Sequence, residues 1–152
     1  MPKVFRLETK SPHGTKRVAG RILRLLLPHG RRPLVLALAG ELGSGKTTFI
    51  QGLAAALGIR EKIQSPTFVL MKIYRLRKKK HFQNFVHLDA YRIEKPRELS
   101  HLGFRECIRD PHNLVVIEWA DRIKHRIPKN AIWVQLQHES RNKRLISVTM
   151  TK

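Results

Sequence analysis

The run "PLVLALAGELGSGKTTFIQGL", residues 33–53, constrains the fold of this chain more than any other stretch. Its first part is continuously apolar and bounded by proline and glycine, the pattern of a strand covered on both faces in a parallel sheet. Directly after it, "GELGSGKT", Gly40 to Thr47, matches G-x-x-x-x-G-K-[ST] in full. Gly43 and Gly45 let the backbone turn into a concave anion nest, and Ser44 lies between them. The helix that follows adds free N–H groups and the positive end of its dipole. Lys46 is placed to reach β- and γ-phosphates, and the hydroxyl of Thr47, next to Thr48, to ligate Mg²⁺. Strand, glycine loop and helix in this order predict an α/β protein that binds a nucleotide phosphate.

The remaining segments extend that layout. "VFRLET" (4–9) alternates weakly, as an edge strand does. Ser11-Pro12 reads as an N-cap with proline at the first helical position, followed by Val18, Ile22, Leu25 and Leu26 at helical spacing and Gly30 as a stop. The helix after the glycine loop is expected to run to about Leu57, with Gly58 as its end signal. "TFVLMKIYRL" (67–76) and "NFVHLDAY" (84–91) read as a hairpin around "RKKKHFQ". "PRELSHLGFRECI" (96–108) reads as short helical pieces broken at Gly103, and "NLVVIE" (113–118) as a buried strand. "AIWVQLQH" (131–138) and "RLISVTM" (144–150) alternate and form an antiparallel pair. The expected architecture is a three-layer, P-loop NTPase-like α/β fold, with a mixed, mainly parallel central sheet and a C-terminal antiparallel pair. A length of 152 residues suits a single domain over 1–152.

Two apolar runs end in acids, "FVHLD" at Asp89 and "LVVIE" at Glu118. In a parallel sheet the active crevice lies beyond the carboxyl ends of the strands, so both acids emerge on the edge that carries the glycine loop. One fits a contact to the metal through water, and the other a direct metal ligand or the group that orients an attacking water. Either acid alone also fits a helix cap or an ion pair with Arg92 or Arg122. Thr67, in "SPTF", stands where switch proteins place a hydroxyl that senses the γ-phosphate, although Ser-Pro-Thr is also an ordinary start for a strand. Trp119 follows Glu118 and is either core or a cover for the nucleotide. His87 reads as strand packing. The remaining histidines and Cys107 have no metal-ligand spacing.

Composition bounds the setting. No apolar run approaches the ~18 residues that span a bilayer, the N-terminus lacks a signal-peptide pattern, and the single cysteine excludes an internal disulfide framework. A cytoplasmic location is expected. Thirty-one Lys and Arg against eleven Asp and Glu leave a formal charge of +20, which fits polyanionic partners, or equally a proteome-wide basic bias or counter-charge in a salty cytoplasm, and says nothing about fold.

In order along the chain, "GELGSGKTTFIQGLAAALG", "SPTFVL", "HLDAYRI", "ELSHLGF" and "VIEWAD" resemble the TsaE (formerly YjeE) family, small P-loop ATPases of bacterial threonylcarbamoyladenosine tRNA modification. The resemblance spans nearly the whole chain. It implies ATP hydrolysis with Mg²⁺ in a complex with a TsaB–TsaD pair that transfers a threonylcarbamoyl group to the adenosine next to the tRNA anticodon. It further implies phosphate contacts from Gly43 to Thr48, Mg²⁺ at Thr47 and Glu118, a Walker B-like acid at Asp89, a switch at Thr67 and Trp119 as the neighbouring tryptophan. Ser11 and Arg141 are its looser candidates for flanking the base. Ala90 stands where the family usually has leucine, and Ala120 where it usually has proline, a change expected to loosen the turn. The lysines at 78–80 and the high charge lie outside the family pattern and are expected to strengthen contact with tRNA or an acidic partner face. Two rival readings share the motif. One is a small-molecule or nucleoside kinase with "RLRKKKH" as a basic lid, and the other a basic nucleic-acid-binding module. "NKRL" (142–145) lacks the acid of a guanine-reading motif, which favours ATP over GTP.

Overall fold

The computed structural model describes residues 1–27, 32–65, 69–77 and 81–151. Gly30, Thr67 and the lysines at 78–80 lie outside them. Among the described residues, seven strands form one sheet in the order β1-β7-β6-β2-β5-β4-β3. They are β1 (Lys3–Thr9), β2 (Leu34–Ala39), β3 (Met71–Arg75), β4 (Asn84–Asp89), β5 (Asn113–Glu118), β6 (Ile132–His138) and β7 (Arg144–Met150). The four central strands, β6, β2, β5 and β4, run parallel. Antiparallel strands complete each side, with β1 and β7 beyond β6 and β3 beyond β4. The mixed α/β sheet and the closing β6–β7 pair are as the sequence predicts.

Strand alternation divides the core in two. In β2, Leu36 and Leu38 enter one apolar cluster with α1 (Pro12–Leu26) and α2 (Lys46–Ala56). Val35 and Ala37 point the other way, toward α3 (Pro96–His101), α4 (Phe104–Arg109) and a 3₁₀ segment (Ala120–Arg126). The result is three layers, helix on sheet on helix. Among the described residues, no helix is long and apolar enough to cross a membrane.

Local signals account for most element ends. Ser11 caps α1, its Oγ accepting from Gly14 N at 2.9 Å, with Pro12 in the first turn. Gly58 leaves α2 at φ 80°, and Gly103 separates α3 from α4 at φ 72°. Two expectations need correction. Leu25 is 74% exposed, because the buried stripe of α1 is Ala19, Ile22, Leu23 and Leu26, spaced i, i+3, i+4, i+7. Strand β3 begins at Met71, because the chain bends at 69–70; Leu70 O still accepts from Asp89 N at 2.9 Å, so pairing outlasts the strand by one residue.

The two helices over the first cluster pack at backbone contact. A Cβ on Gly52 of α2 would lie 2.5 Å from Lys16 O and 2.6 Å from Lys16 Cα of α1. Neither atom belongs to a flexible side chain, so the helix that carries the glycine loop would have to move. Gly52→Ala is expected to lower the unfolding free energy by about 1–3 kcal/mol, although alanine is the better helix former by about 1 kcal/mol. A urea midpoint equal to or above that of the wild type would contradict this packing.

Candidate functional site

The topology carries the predicted residues to one edge. Strands β2, β4 and β5 all end there, and Asp89 pairs with Glu118 in the parallel register. The glycine loop leaves β2 at Gly40 and enters α2 at Lys46. Gly43 and Gly45 adopt φ 77° and 100°, values that side-chain-bearing residues resist. A cleft of about 350 Å³ opens over the loop. It is lined by Gly43, Gly45, Lys46, Thr47, Thr48, Glu118 and Trp119, and by Ser11 and Arg141 from α1 and the β6–β7 turn. Ser44 is buried beneath it, its Oγ 3.4 Å from Lys46 Nζ.

Lys46 is folded onto its own loop. Its Nζ donates to Gly40 O at 2.6 Å and Glu41 O at 2.8 Å, and lies 3.9 Å from the centroid of the Trp119 ring. Burial pushes its ammonium below the ordinary lysine range, against the pull of Glu118, Asp121 and Asp89. Trp119 holds φ 57°, the one positive φ of a non-glycine residue among the described residues. Its ring packs 4.9 Å from that of Tyr91, and the Arg122 guanidinium lies 4.7 Å from Tyr91 on a further ring contact.

Glu118 is the hub. It is 2% exposed and meets three donors, one each from α2, β4 and the segment after α2. Thr47 Oγ1 donates to Oε1 at 2.9 Å, Ser65 Oγ to Oε2 at 3.3 Å, and His87 Nε2 lies 2.9 Å from Oε2. Burial alone would raise this carboxyl, but the donors from His87, Thr47 and Ser65 outweigh it and hold it below the usual carboxylate range. Asp89 differs. Its Oδ1 accepts from Tyr91 N at 2.9 Å, and it lines an adjoining cavity with Leu42, Ser65, Tyr91 and Trp119 rather than the main cleft. Burial pushes its carboxyl up, and neighbouring Glu118 adds to the shift.

The family model described as "Threonylcarbamoyl adenosine biosynthesis protein TsaE" matches residues 9–146. The chain belongs to the TsaE family. A Treponema pallidum relative named "tRNA threonylcarbamoyladenosine biosynthesis protein TsaE" is 34% identical over 129 residues, covering 85% of this chain and 89% of its own. A Bacillus subtilis relative of the same name is 31% identical over 97% of this chain and 86% of its own. The crystal structure of B. subtilis YdiB superimposes with a TM-score of 0.75 at 28% identity, covering all (100%) of this chain and 88% of that one.

Both departures from the TsaE pattern lie in the core. Ala90 and Ala120 are each fully buried, and Ala90 N donates to Glu118 O at 3.0 Å. Ala120 starts the 3₁₀ segment and packs in the second cluster. Three neighbours of the site escape sequence reasoning. Ser65 lies two positions before the threonine singled out, His87 reads as packing, and Arg144 reads as an alternating strand residue although it lines the cleft. Only a topology that places β4 beside β5 shows that His87 faces Glu118.

The two acids predict opposite stability effects. Asp89 has a folded-state value above its unfolded one, so its ionised form weakens the fold at neutral pH, a cost that disappears as pH falls below about 3.9. Glu118 is depressed, so its ionised form stabilises the fold at neutral pH, a gain lost as pH falls through its folded value. At pH 7, Asp89→Asn should therefore raise the denaturation midpoint and Glu118→Gln lower it. Both differences should shrink toward pH 4. Midpoints that move in the same direction would contradict this assignment.

Proposed function

We propose that this chain is an Mg²⁺-dependent ATPase that supports threonylcarbamoyl transfer to the adenosine next to the tRNA anticodon, as a subunit working with a TsaB–TsaD-type complex. The observation that carries the reading is the Thr47 hydroxyl set 2.9 Å from the Glu118 carboxylate at the start of the glycine-loop helix. Hydroxyl and carboxylate oxygens are the donors that suit a hard cation, so Thr47 and Glu118 fit Mg²⁺. When bound, the ion neutralises charge on the phosphates.

The chain's own residues supply the rest. The first N–H groups of α2 have no intrahelical acceptor and are free to receive phosphate oxygens. Lys46, held by two loop carbonyls, has a phosphate as its natural competing acceptor. Ser11 and Arg141 also line the cleft and are the candidates for flanking the base, while Trp119, its ring 3.9 Å from Lys46 Nζ, is the candidate for covering the nucleotide. Asp89, raised by burial and beside Glu118, is the candidate for orienting the attacking water, and Thr67 for sensing the γ-phosphate. The relatives' name places them in tRNA threonylcarbamoyladenosine biosynthesis, and the +20 charge suits work beside tRNA, direct or through the complex. With the cleft occupied by ATP, no second substrate pocket is needed, since hydrolysis serves turnover of the partners.

The test is ATP hydrolysis by the purified chain, alone and with a TsaB–TsaD pair and tRNA. The rate should rise with the partners, and Glu118→Ala should lower it about 10²-fold or more. Hydrolysis indifferent to the partners, or unaffected by Glu118→Ala, would overturn the reading. A phosphorylated small-molecule product would replace it with a kinase.

A further inference from the structure

We infer that His87 is a positioning residue for Glu118, kept in the core to fix the carboxylate that meets the cation. The inference rests on the proposed Mg²⁺–nucleotide reading of the cleft and adds to it a residue that acts through Glu118.

Strand alternation puts His87 on the same face of β4 as Phe85, the face covered by α1 and α2. The register sets it opposite Val116, two residues before Glu118 on the same face of β5. The side chain is 0% exposed. An ionised carboxylate can only accept, so the 2.9 Å contact requires a proton on Nε2. The other nitrogen, Nδ1, is buried with no hydrogen-bond partner among the described residues. An imidazole in an apolar layer, half satisfied, is a cost to the fold, and a leucine would fill the space without it. Its one side-chain hydrogen bond among the described residues goes to Glu118, and that bond accounts for its presence.

The bond has a geometric consequence. His87 and Ser65 occupy Oε2, while Oε1 is directed at Thr47. Glutamate has two rotatable carbons between backbone and carboxylate, and a free one would lose that freedom when it bound a cation. Pinning Oε2 from the strand side fixes the carboxylate in advance and leaves Oε1 to Thr47, which lines the cleft. Hydrogen-bond partners behind a metal ligand are typically worth 10–100-fold in metal affinity.

The experiment compares wild type with His87→Leu, His87→Asn and His87→Gln. Glutamine places an N–H donor near the position of Nε2, and asparagine carries the same amide one carbon short. Calorimetric titration of a non-hydrolysable ATP analogue, in EDTA and at graded Mg²⁺, gives nucleotide affinity and apparent Mg²⁺ affinity separately. Leucine and asparagine should weaken apparent Mg²⁺ affinity about 10–100-fold, while glutamine restores it to near wild type and affinity in EDTA stays constant throughout. Folding is checked by thermal melts, and the asparagine–glutamine pair still decides the matter if the leucine variant does not fold. Wild-type Mg²⁺ affinity in the folded asparagine variant, or a glutamine variant as weak as asparagine, would overturn the inference. A wild-type protein with no Mg²⁺-dependent nucleotide binding would overturn the reading of the cleft itself, and this inference with it.

Discussion

A carboxylate taken out of water must be met by donors, and the structure around Glu118 is organised by that requirement. The side chain sits at the end of a strand buried along its whole length and is itself 2% exposed. Its donors come from the glycine-loop helix, from the segment after that helix and from the neighbouring strand. One charge therefore fastens α2 to β4 and β5 at the sheet edge where the cleft opens. The same hydrogen bonds that make the charge tolerable set its direction. Stability and site geometry are two results of one arrangement.

The parallel centre of the sheet makes the arrangement possible. Because β2, β5 and β4 are adjacent and parallel, their carboxyl ends deliver Gly40, Glu118 and Asp89 side by side. The buried layers on both faces hold these ends in register, and the close contact at Gly52 locks α2 against α1. Lys46, Trp119, Tyr91 and Arg122 then form a stack of two rings with a cation at each end. Trp119 occupies a left-handed conformation there, at a cost of order 1–3 kcal/mol for such a residue. The two acids, paired in register, are pushed in opposite directions because one is surrounded by side-chain donors and the other chiefly desolvated. Opposite environments for adjacent acids fit two different tasks.

Much of this was legible in the sequence because the signals are local. Cap residues at Ser11, Gly58 and Gly103, the unbroken apolar runs of β2 and β5, and the full glycine-loop motif each carry their structure within a few residues. The acids at Asp89 and Glu118 were readable because strand ends in a parallel sheet share an edge. What was not legible depends on contacts distant in sequence. Gly52 looks like a weak spot in a helix until α1 is laid across it. His87 looks like strand filling until β4 is placed beside β5, and Ser65 is inconspicuous until the chain after α2 folds back to Thr47. Leu25 was misplaced because four apolar residues in five positions, Ile22, Leu23, Leu25 and Leu26, fit more than one helical face.

Nucleotide binding in this cleft requires Thr47 and Glu118 to meet a cation while Lys46 exchanges loop carbonyls for phosphate. The most direct measurement is a crystal structure of the chain with a non-hydrolysable ATP analogue and Mg²⁺. The metal is expected within coordination distance of Thr47 Oγ1 and on the Glu118 side of the cleft, with Lys46 Nζ on phosphate oxygen rather than on Gly40 and Glu41. A nucleotide bound elsewhere, or one in the cleft with the Thr47–Glu118 bond intact and Lys46 still on its own loop, would contradict it.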